Sequence, residues 1–524
     1  MTGPEPVGAP GESDAPFWWE RRWFLALLPL LVALPLVFPP LPPLIDLPGH
    51  MGRYKIALDL AESPLLQQFY EFRWSLVPNL GADLLVVPIA ALVGIETATK
   101  IIALLIPALT MAGFLWVAKE AHGRVPPSVL LAAPLIYGFP FLYGFLNFTL
   151  SAAFAYLALG LWMRLGRLER LRLRAVLFVP IALVVWVSHT FGWGMLGLLA
   201  FGAELARELD RGRRFFEAAL RAAVTVLPLT APLVPMLIWS GQTPVGAGQW
   251  LNLPWKLVNV LWMLRDRWQV FDLASVSFLL VVLAAAWREE RIAAARSLLL
   301  PALMLFAAFV LLPRFLLGGA HTDNRLLPYA VATALIALRP AQDASRTFAK
   351  AFALAALAFF AVRMGGVGAS AWLYGRELVA EAAAIDHLPR GARVAAYVDT
   401  DCQAAWAPGR LIHLPSLAIV RREAFANDQW TVAGSHLLTV KPPYTNDVDP
   451  SHMVAEPICN RQLLSTALAA ADPDKFDHVW LIQPPPYDPA LTRGWTAVWR
   501  SGDSVLFRLP QSAPAGGTAA VTVP

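Results

Sequence analysis

Charge is scarce in this chain. Only 15% of its 524 residues are charged, against 57% apolar, and the mean hydropathy is +0.54. That balance excludes an ordinary soluble enzyme and points to a polytopic membrane protein. Cysteine is scarcer: Cys402 and Cys459 are the two, both in the late polar region, and no paired CxxC exists. They could pair if that region lies outside the cytoplasm, which spacing alone does not decide. There is no P-loop, no GxSxG elbow and no HExxH, so a nucleotide-driven pump is disfavoured. The polar start, MTGPEPVGAPGESDAPFWWERR, lacks the basic beginning and small-residue cleavage site of a signal peptide, so the first apolar segment is expected to stay attached. The formal charge of +5 does not argue for nucleic acid as a partner, because the arginines fall in short clusters between apolar runs, as in cytoplasmic loops that anchor a topology.

What is present is a series of apolar runs. Candidate spans are 23–44, 98–118, 127–146, 148–164, 175–190, 192–207, 218–240, 272–288, 297–313, 326–339 and 351–373, about eleven transmembrane helices of roughly the length a bilayer asks. The stretch GADLLVVPIAALVGIETA (81–98) reads as a juxtamembrane or re-entrant helix, because counting it as a span would put the basic loop Lys119 to Arg124 outside. The positive-inside rule then sets the N-terminus in the cytoplasm and residues 374–524 on the far side. The expected fold class is an α-helical polytopic membrane protein with a small C-terminal extracytoplasmic α/β domain. Its parts are a disordered cytoplasmic tail (1–22), a transmembrane domain (23–375) with a long first periplasmic loop (46–97), a periplasmic α/β domain (376–510) and a disordered tail (511–524). The runs RVAAYVD (393–399), HVWLIQ (478–483) and WTAVWRSGDSVLFRL (495–509) read as strands, the last as a hairpin around Ser501-Gly502-Asp503. In the Trp-rich loop (241–271), WKLVNVLWMLRDRW has helical apolar spacing with Lys256, Arg265 and Arg267 interspersed, as in a helix lying among headgroups.

The first external loop crowds Asp46, His50, Arg53, Lys55 and Asp59 into PPLPPLIDLPGHMGRYKIALDL. Charges at the end of a membrane helix commonly just sit in the interface. Against that, Pro42, Pro43 and Pro48 stiffen the chain around Asp46, so its carboxylate is held where it could act as a general base toward an acceptor hydroxyl or orient it. His50 and Arg53 follow at helical spacing and could share its face, and Arg53 and Lys55 could meet a phosphate. In GGAHTDNR, Arg325 could grip a lipid phosphate at headgroup depth, with Asp323 holding it in position; the plainer reading is a snorkelling arginine. His189 in WVSHTFGWG more often bonds a carbonyl of its own turn, and Asn147 in YGFLNFTLS, formally a sequon, reads as a polar turn residue that reaches the cavity or caps the next helix. His50, His189 and His321 with Asp46 and Asp323 could line a common cavity or hold a divalent cation. Their spacing matches no metal motif, and no metal site is assigned.

On these features the chain resembles the GT-C class of membrane glycosyltransferases, which includes protein O-mannosyltransferases, lipid A aminoarabinose transferases and oligosaccharyltransferases. The resemblance rests on a cytoplasmic N-terminus, an acidic residue just after the first span (Asp46 in IDLPGH), a long first external loop, a span ending in a basic loop (FLWVAKEAHGR) and an extracytoplasmic C-terminal domain. It implies a polyprenyl-phosphate-linked sugar as donor and Asp46 as base or acceptor-positioning group. The chain departs from the class where Asn147 stands at the place of a second external acidic residue, and where His50 and Arg53 replace the adjacent Asp-Glu pair of the O-mannosyltransferases. The Ala, Leu and Arg bias suits a GC-rich bacterial genome.

The expected function is transfer of a sugar to a glycolipid, polysaccharide or protein acceptor on the periplasmic face of a bacterial inner membrane. Membrane lipid, the lipid-linked sugar and that acceptor are the expected partners. Asp46 would be the base, Arg325 and Arg53 phosphate grips, and His50, His189 and His321 sugar or phosphate contacts. A transporter or flippase for a lipid-linked saccharide would instead carry ionisable groups near the midplane; the span interiors hold almost none, Arg363 being the main exception and able to snorkel outward. A non-catalytic partner in envelope assembly, docking through the α/β domain, is the third reading.

Overall fold

The computed structural model describes residues 16–240, 247–316, 319–400, 406–432, 436–455 and 461–510; Cys402 and Cys459 lie outside them, as do both extreme tails. The chain is mostly helical, and every candidate span falls wholly or in part on helix. Among the described residues, five helices are long and apolar enough to cross a membrane: Ile95–His122, Leu146–Arg167, Leu171–Ser188, Gln269–Ala286 and Arg346–His387. A sixth results if Phe215–Thr225 and Leu227–Ile238, bent by 54°, act as one. The remaining apolar helices are shorter than the expected eleven spans require, for local reasons. Pro35 turns the end of Arg22–Ala33 into a single 3-10 turn, and the prolines that follow stop the helix from resuming. Pro134, Gly138, Pro140 and Gly144 divide 127–146 into Val129–Ala132, the 3-10 turn Ala133–Tyr137 and Phe139–Tyr143. Thr190–Asp210 has 21 residues, but Glu204, Arg207, Glu208 and Asp210 occupy its second half. The 81–98 stretch breaks at Gly94, whose φ of +79° ends Gly81–Val93 before Ile95–His122 begins.

The basic loops meet at one end of the bundle. Arg164 and Arg167 reach Glu120, Arg207 and Arg211 reach Glu169, Arg296 reaches Asp210, and Arg124 reaches Glu20. Strand pairing of Ile292–Ala294 with Leu338–Pro340 joins two more of these loops. Exposed ion pairs add little stability each, so their value here is to mark which loops are neighbours. Of the tail expected over 1–22, residues 1–15 lie outside the described residues, and the rest is packed: Phe17 stacks on Trp19 at 4.2 Å between ring centroids, Trp19 is buried, and Arg346 lies over Phe17. The three aromatics of FWW have enough apolar area to dock this segment.

At the other end stands the C-terminal region. Arg346–Ala382 runs 37 residues without a break and passes into the 3-10 turn Ala383–His387, so it crosses the domain boundary expected at 376. Hydropathy falls there, but GRELVAEAAA is rich in good helix formers and the helix has no reason to stop. The sheet is six-stranded and mixed, ordered Thr496–Ser501, Ser504–Arg508, His478–Ile482, Arg393–Asp399, Phe425–Ala426, with Met453–Val454 also on Arg393–Asp399. The first two strands form the hairpin at Gly502, and the central pair is parallel, His478 opposite Val394 and Ile482 opposite Val398. This region is not a separate lobe. Tyr70–Phe72 of the first loop pairs with Leu438–Val440, Ser416–Arg422 packs on the helix Leu47–Asp59, and Arg410 donates to the carbonyls of Pro43 and Leu142, both at 2.8 Å. The close approach depends on Gly49, where a Cβ would stand 2.5 Å from the Trp430 ring. One buried apolar cluster runs from the bundle through Leu47 and Leu417 to Val394 and Trp480 in the sheet.

Candidate functional site

A cavity of about 560 Å³ opens between the bundle and the C-terminal region. Asp46, His50, Asn147, His189, His321 and Arg325 all line it, with Tyr143, Phe145, Phe148 and Phe191 on the bundle side and His413, Trp430, His436, Asp449 and Arg461 on the C-terminal side. Arg53, Lys55 and Asp323 do not reach it.

Asp46 is set by its backbone. Its N–H donates to the Tyr143 carbonyl at 2.9 Å, beside Gly144, whose φ is +95° and where a Cβ would stand 2.8 Å from the Asp46 nitrogen. Asp46 precedes the helix Leu47–Asp59, yet its carboxylate makes no capping bond; His413 Nε2 stands 3.8 Å from Oδ1. Burial raises this carboxyl well above its usual range, Asp449 pushes the same way, and Arg325 opposes them. A carboxylate so placed is a stronger base than one in water. One turn on, the His50 ring lies 5.2 Å from Trp430 with Nδ1 unpartnered, and burial, aided by Arg53, keeps it neutral.

Arg325 is short of acceptors. Among the described residues no carboxylate lies within ion-pair distance of it; it donates to the Ala320 carbonyl at 3.2 Å, meets His189 Nε2 at 2.9 Å, and its Nε has no partner. His189 Nδ1 already faces the Phe191 N–H at 3.0 Å. A neutral imidazole has one lone pair, so it can accept from only one of these two donors. Burial holds His189 neutral, with Arg325 acting in the same sense, and lowers the Arg325 pKa to about 10 while Asp46 supports it. The guanidinium also lies over Phe145, 4.4 Å from its centroid. His321 has φ of +55°, uncommon for a residue with a Cβ, an unpartnered Nδ1, and a pKa lowered to about 3 by burial and then by Arg314 and Arg325. With Arg314 and Arg461 also present, the cavity carries more positive than negative side chains.

The other residues of the expected set are engaged elsewhere. Arg53 is buried and paired with both oxygens of Asp83 at 2.8 and 2.9 Å, which neutralises it away from the cavity. Asn147 borders the cavity, but its Oδ1 accepts the Ala82 N–H at 2.6 Å and its Nδ2 donates to the Asn79 carbonyl and to Asp83, so its side chain latches the start of Gly81–Val93. Lys55 pairs with Asp59 and with Glu423 at the edge of a second hollow. Asp323 does not hold Arg325. It neutralises Lys256 at 2.6 Å, whose Nζ also donates to the carbonyls of Phe309 and Leu312. Arg363 does not snorkel outward either; it is buried against Asp272 and the Leu264 carbonyl, and Trp406 Nε1 donates to the same Asp272 at 2.7 Å.

The C-terminal wall is the part that sequence reasoning missed. His413 donates Nδ1–H to the Asp428 carbonyl at 3.1 Å, its ring packs tilted against Trp430 at 4.3 Å between centroids, and burial lowers its pKa to about 3. Asp449 is raised to about 6 by burial, with Arg461 opposing. His413, Asp449 and His452 are the group that could hold a cation among the described residues, their ligand atoms all within 4.8 Å of one another. The available signal was the crowding of His413, His436 and His452, three of the nine histidines, into one polar stretch. Chemically, the site sets a buried carboxylate and an acceptor-poor guanidinium on the walls of one aromatic-lined cavity. The chain matches no protein-family model, no curated protein and no solved structure.

Proposed function

We propose that the protein is an integral membrane glycosyltransferase of GT-C type, moving a sugar from a polyprenyl-phosphate-linked donor to a glycolipid, polysaccharide or protein acceptor. The observation that carries this reading is Arg325, a buried cation with unmet donors and, among the described residues, no carboxylate at ion-pair distance, in the same cavity as Asp46. A buried charge in that state calls for an anionic ligand. In the proposed reaction Asp46 takes the proton of the acceptor hydroxyl as its oxygen bonds the anomeric carbon. The bond from that carbon to the phosphate oxygen breaks, and the leaving phosphate is stabilised by Arg325.

A bacterial inner membrane, with the N-terminus cytoplasmic and the cavity periplasmic, is the placement we infer, because the arginine-rich loops share the end opposite the cavity. In that placement the helix Leu253–Leu261 exposes Leu253, Leu257 and Leu261 and buries Lys256 and Asn259, a polarity suited to the headgroup zone. Trp255 of this helix stacks under Arg314 at the cavity's edge, where a lipid-borne donor would enter.

The test is purified protein incubated with a panel of radiolabelled undecaprenyl-phosphate sugars, scored for donor consumption. Consumption of one donor that is lost in a folded Asp46→Asn protein is expected; a panel left intact by the folded wild type overturns the reading. A flippase for the same lipid would draw on the buried Arg363–Asp272 pair, which Trp406 and Leu264 tie into a clamp. Movement of the donor across a proteoliposome bilayer without its consumption would decide for that alternative.

A further inference from the structure

We propose that His413, Asp449 and His452 form a divalent-cation site of zinc-like preference in the C-terminal wall of the cavity, beside Asp46. The inference stands apart from the transferase reading, since it concerns what these side chains bind and not what the cavity turns over.

The three ligands come from segments held by the fold. His413 lies three residues before the start of the helix Ser416–Arg422, while Asp449 and His452 lead into the strand Met453–Val454. The Asp449 N–H donates to the Gln429 carbonyl at 3.1 Å, and the His452 carbonyl accepts the Val398 N–H at 2.8 Å, so both backbones are anchored. The ligand atoms lie within 4.8 Å of one another. A tetrahedral zinc with bonds of about 2.0–2.2 Å places its ligand atoms roughly 3.4 Å apart, a closure within reach of side-chain rotation.

His452 gives the independent observation. It is 0% exposed, and, although the Ile412 backbone faces the ring, neither ring nitrogen has a hydrogen bond of good geometry among the described residues. Leaving a buried polar atom unsatisfied costs stability, and ring packing at 5.1 Å on His413 does not answer it. A cation on one nitrogen does. His413 is already arranged as a ligand: with Nδ1–H donated to the Asp428 carbonyl, its lone pair is on Nε2, and Asp428 is itself fixed by the Ser416 N–H at 2.9 Å and hydroxyl at 2.7 Å. Support of this kind behind a ligating histidine sets its tautomer and ring orientation. Asp449 Oδ1 likewise lacks a hydrogen bond and lies 3.8 Å from His452 Nδ1. Two imidazoles and one carboxylate suit zinc and its borderline neighbours, not magnesium or calcium, which take oxygen ligands. Three protein ligands leave a coordination position open, and Asp46 Oδ1, 3.8 Å from His413 Nε2, marks the direction of the cavity. An oxygen held there, from water, phosphate or a hydroxyl, would sit next to the carboxylate.

The experiment is metal retention. Purified full-length protein is exposed to Zn²⁺, desalted and assayed by plasma mass spectrometry, with a parallel Co²⁺ sample read by its visible d–d absorption. One zinc per chain is expected for wild type and for His387→Ala, which removes an exposed histidine outside the cluster. Loss of the retained zinc is expected in His452→Ala and in the nearly isosteric Asp449→Asn. Folded variants that retain zinc like wild type overturn the site. Should both variants fail to fold, wild type decides: no retained zinc, or cobalt showing only the weak bands of the hydrated ion, overturns it, and the intense bands of a low-coordinate centre support it.

Discussion

Arg325 Nη1 lies 2.9 Å from His189 Nε2, while His189 Nδ1 faces the Phe191 N–H. Two donors thus compete for one lone pair, and the guanidinium keeps unmet capacity in a cavity where, among the described residues, no carboxylate neutralises it at ion-pair distance. Arg325→Ala should therefore weaken the donor's apparent affinity by about 10- to 100-fold, the range for hydrogen bonds to a charged group. Arg325→Lys should recover part of it, because a point charge replaces a fork. Donor titrations on the folded variants measure this, and unchanged affinity in Arg325→Ala would remove the phosphate role.

Asp46→Asn should lower turnover by about 10²- to 10⁴-fold, the usual contribution of a general base. Because burial raises the Asp46 carboxyl well above the ordinary range, the acidic limb of the wild-type rate profile should fall at a higher pH than a free carboxylate would give. The stability effect has the opposite sense. A carboxyl with a raised folded pKa stabilises the fold below its unfolded pKa, and that contribution is lost as pH rises through the folded value. Asp46→Asn should then melt higher than wild type at neutral and alkaline pH, with the difference vanishing in acid. Rate profiles and melting curves across pH on both proteins check the two signs; an Asn variant less stable at neutral pH would contradict the burial argument.

Much of this architecture was legible from local pattern. Apolar runs mark the helices, the short strand-like runs at 393–399, 478–483 and 495–509 mark the sheet, and the convergence of Asp46, His50, His189, His321 and Arg325 follows from helices that bring successive turns to one end. The choice of partner was not legible. Arg53 pairs with Asp83 and Asp323 with Lys256 because of how Gly81–Val93 and Leu253–Leu261 pack, and nothing in the flanking sequence encodes that. Likewise the run of residues across 376 lost its hydropathy but kept its helix propensity, so the composition shift gave a boundary that the backbone does not have.

Gly49→Ala tests the docking of the C-terminal region on the first loop. The new methyl would stand 2.5 Å from Trp430, and overpacking of this kind costs about 1–3 kcal/mol. Gly194→Ala, where nothing lies within 4 Å, is the matched control and should be neutral or slightly stabilising through helix propensity. Thermal melts of the two variants in one detergent compare them; equal melting temperatures would mean that Trp430 can yield, and that the seam is looser than its contacts suggest.

The Arg53–Asp83 pair gives the sharpest stability test, because its partners are both buried and their roles separate cleanly from chemistry. Asp83 accepts from Arg53 at 2.9 Å and from Asn147 at 3.0 Å, so it joins Leu47–Asp59, Gly81–Val93 and Leu146–Arg167 at a single carboxylate. Asp83→Ala removes that junction and strands the Arg53 charge, for which a cost of about 3–5 kcal/mol is expected. Arg53→Met with Asp83→Leu removes both charges and should recover most of it, since two apolar side chains of similar volume need no neutralisation. If the double variant were instead as unstable as Asp83→Ala, the loss would belong to the Asn147 latch, whose Nδ2 would still lack its Asp83 acceptor, and not to the stranded charge.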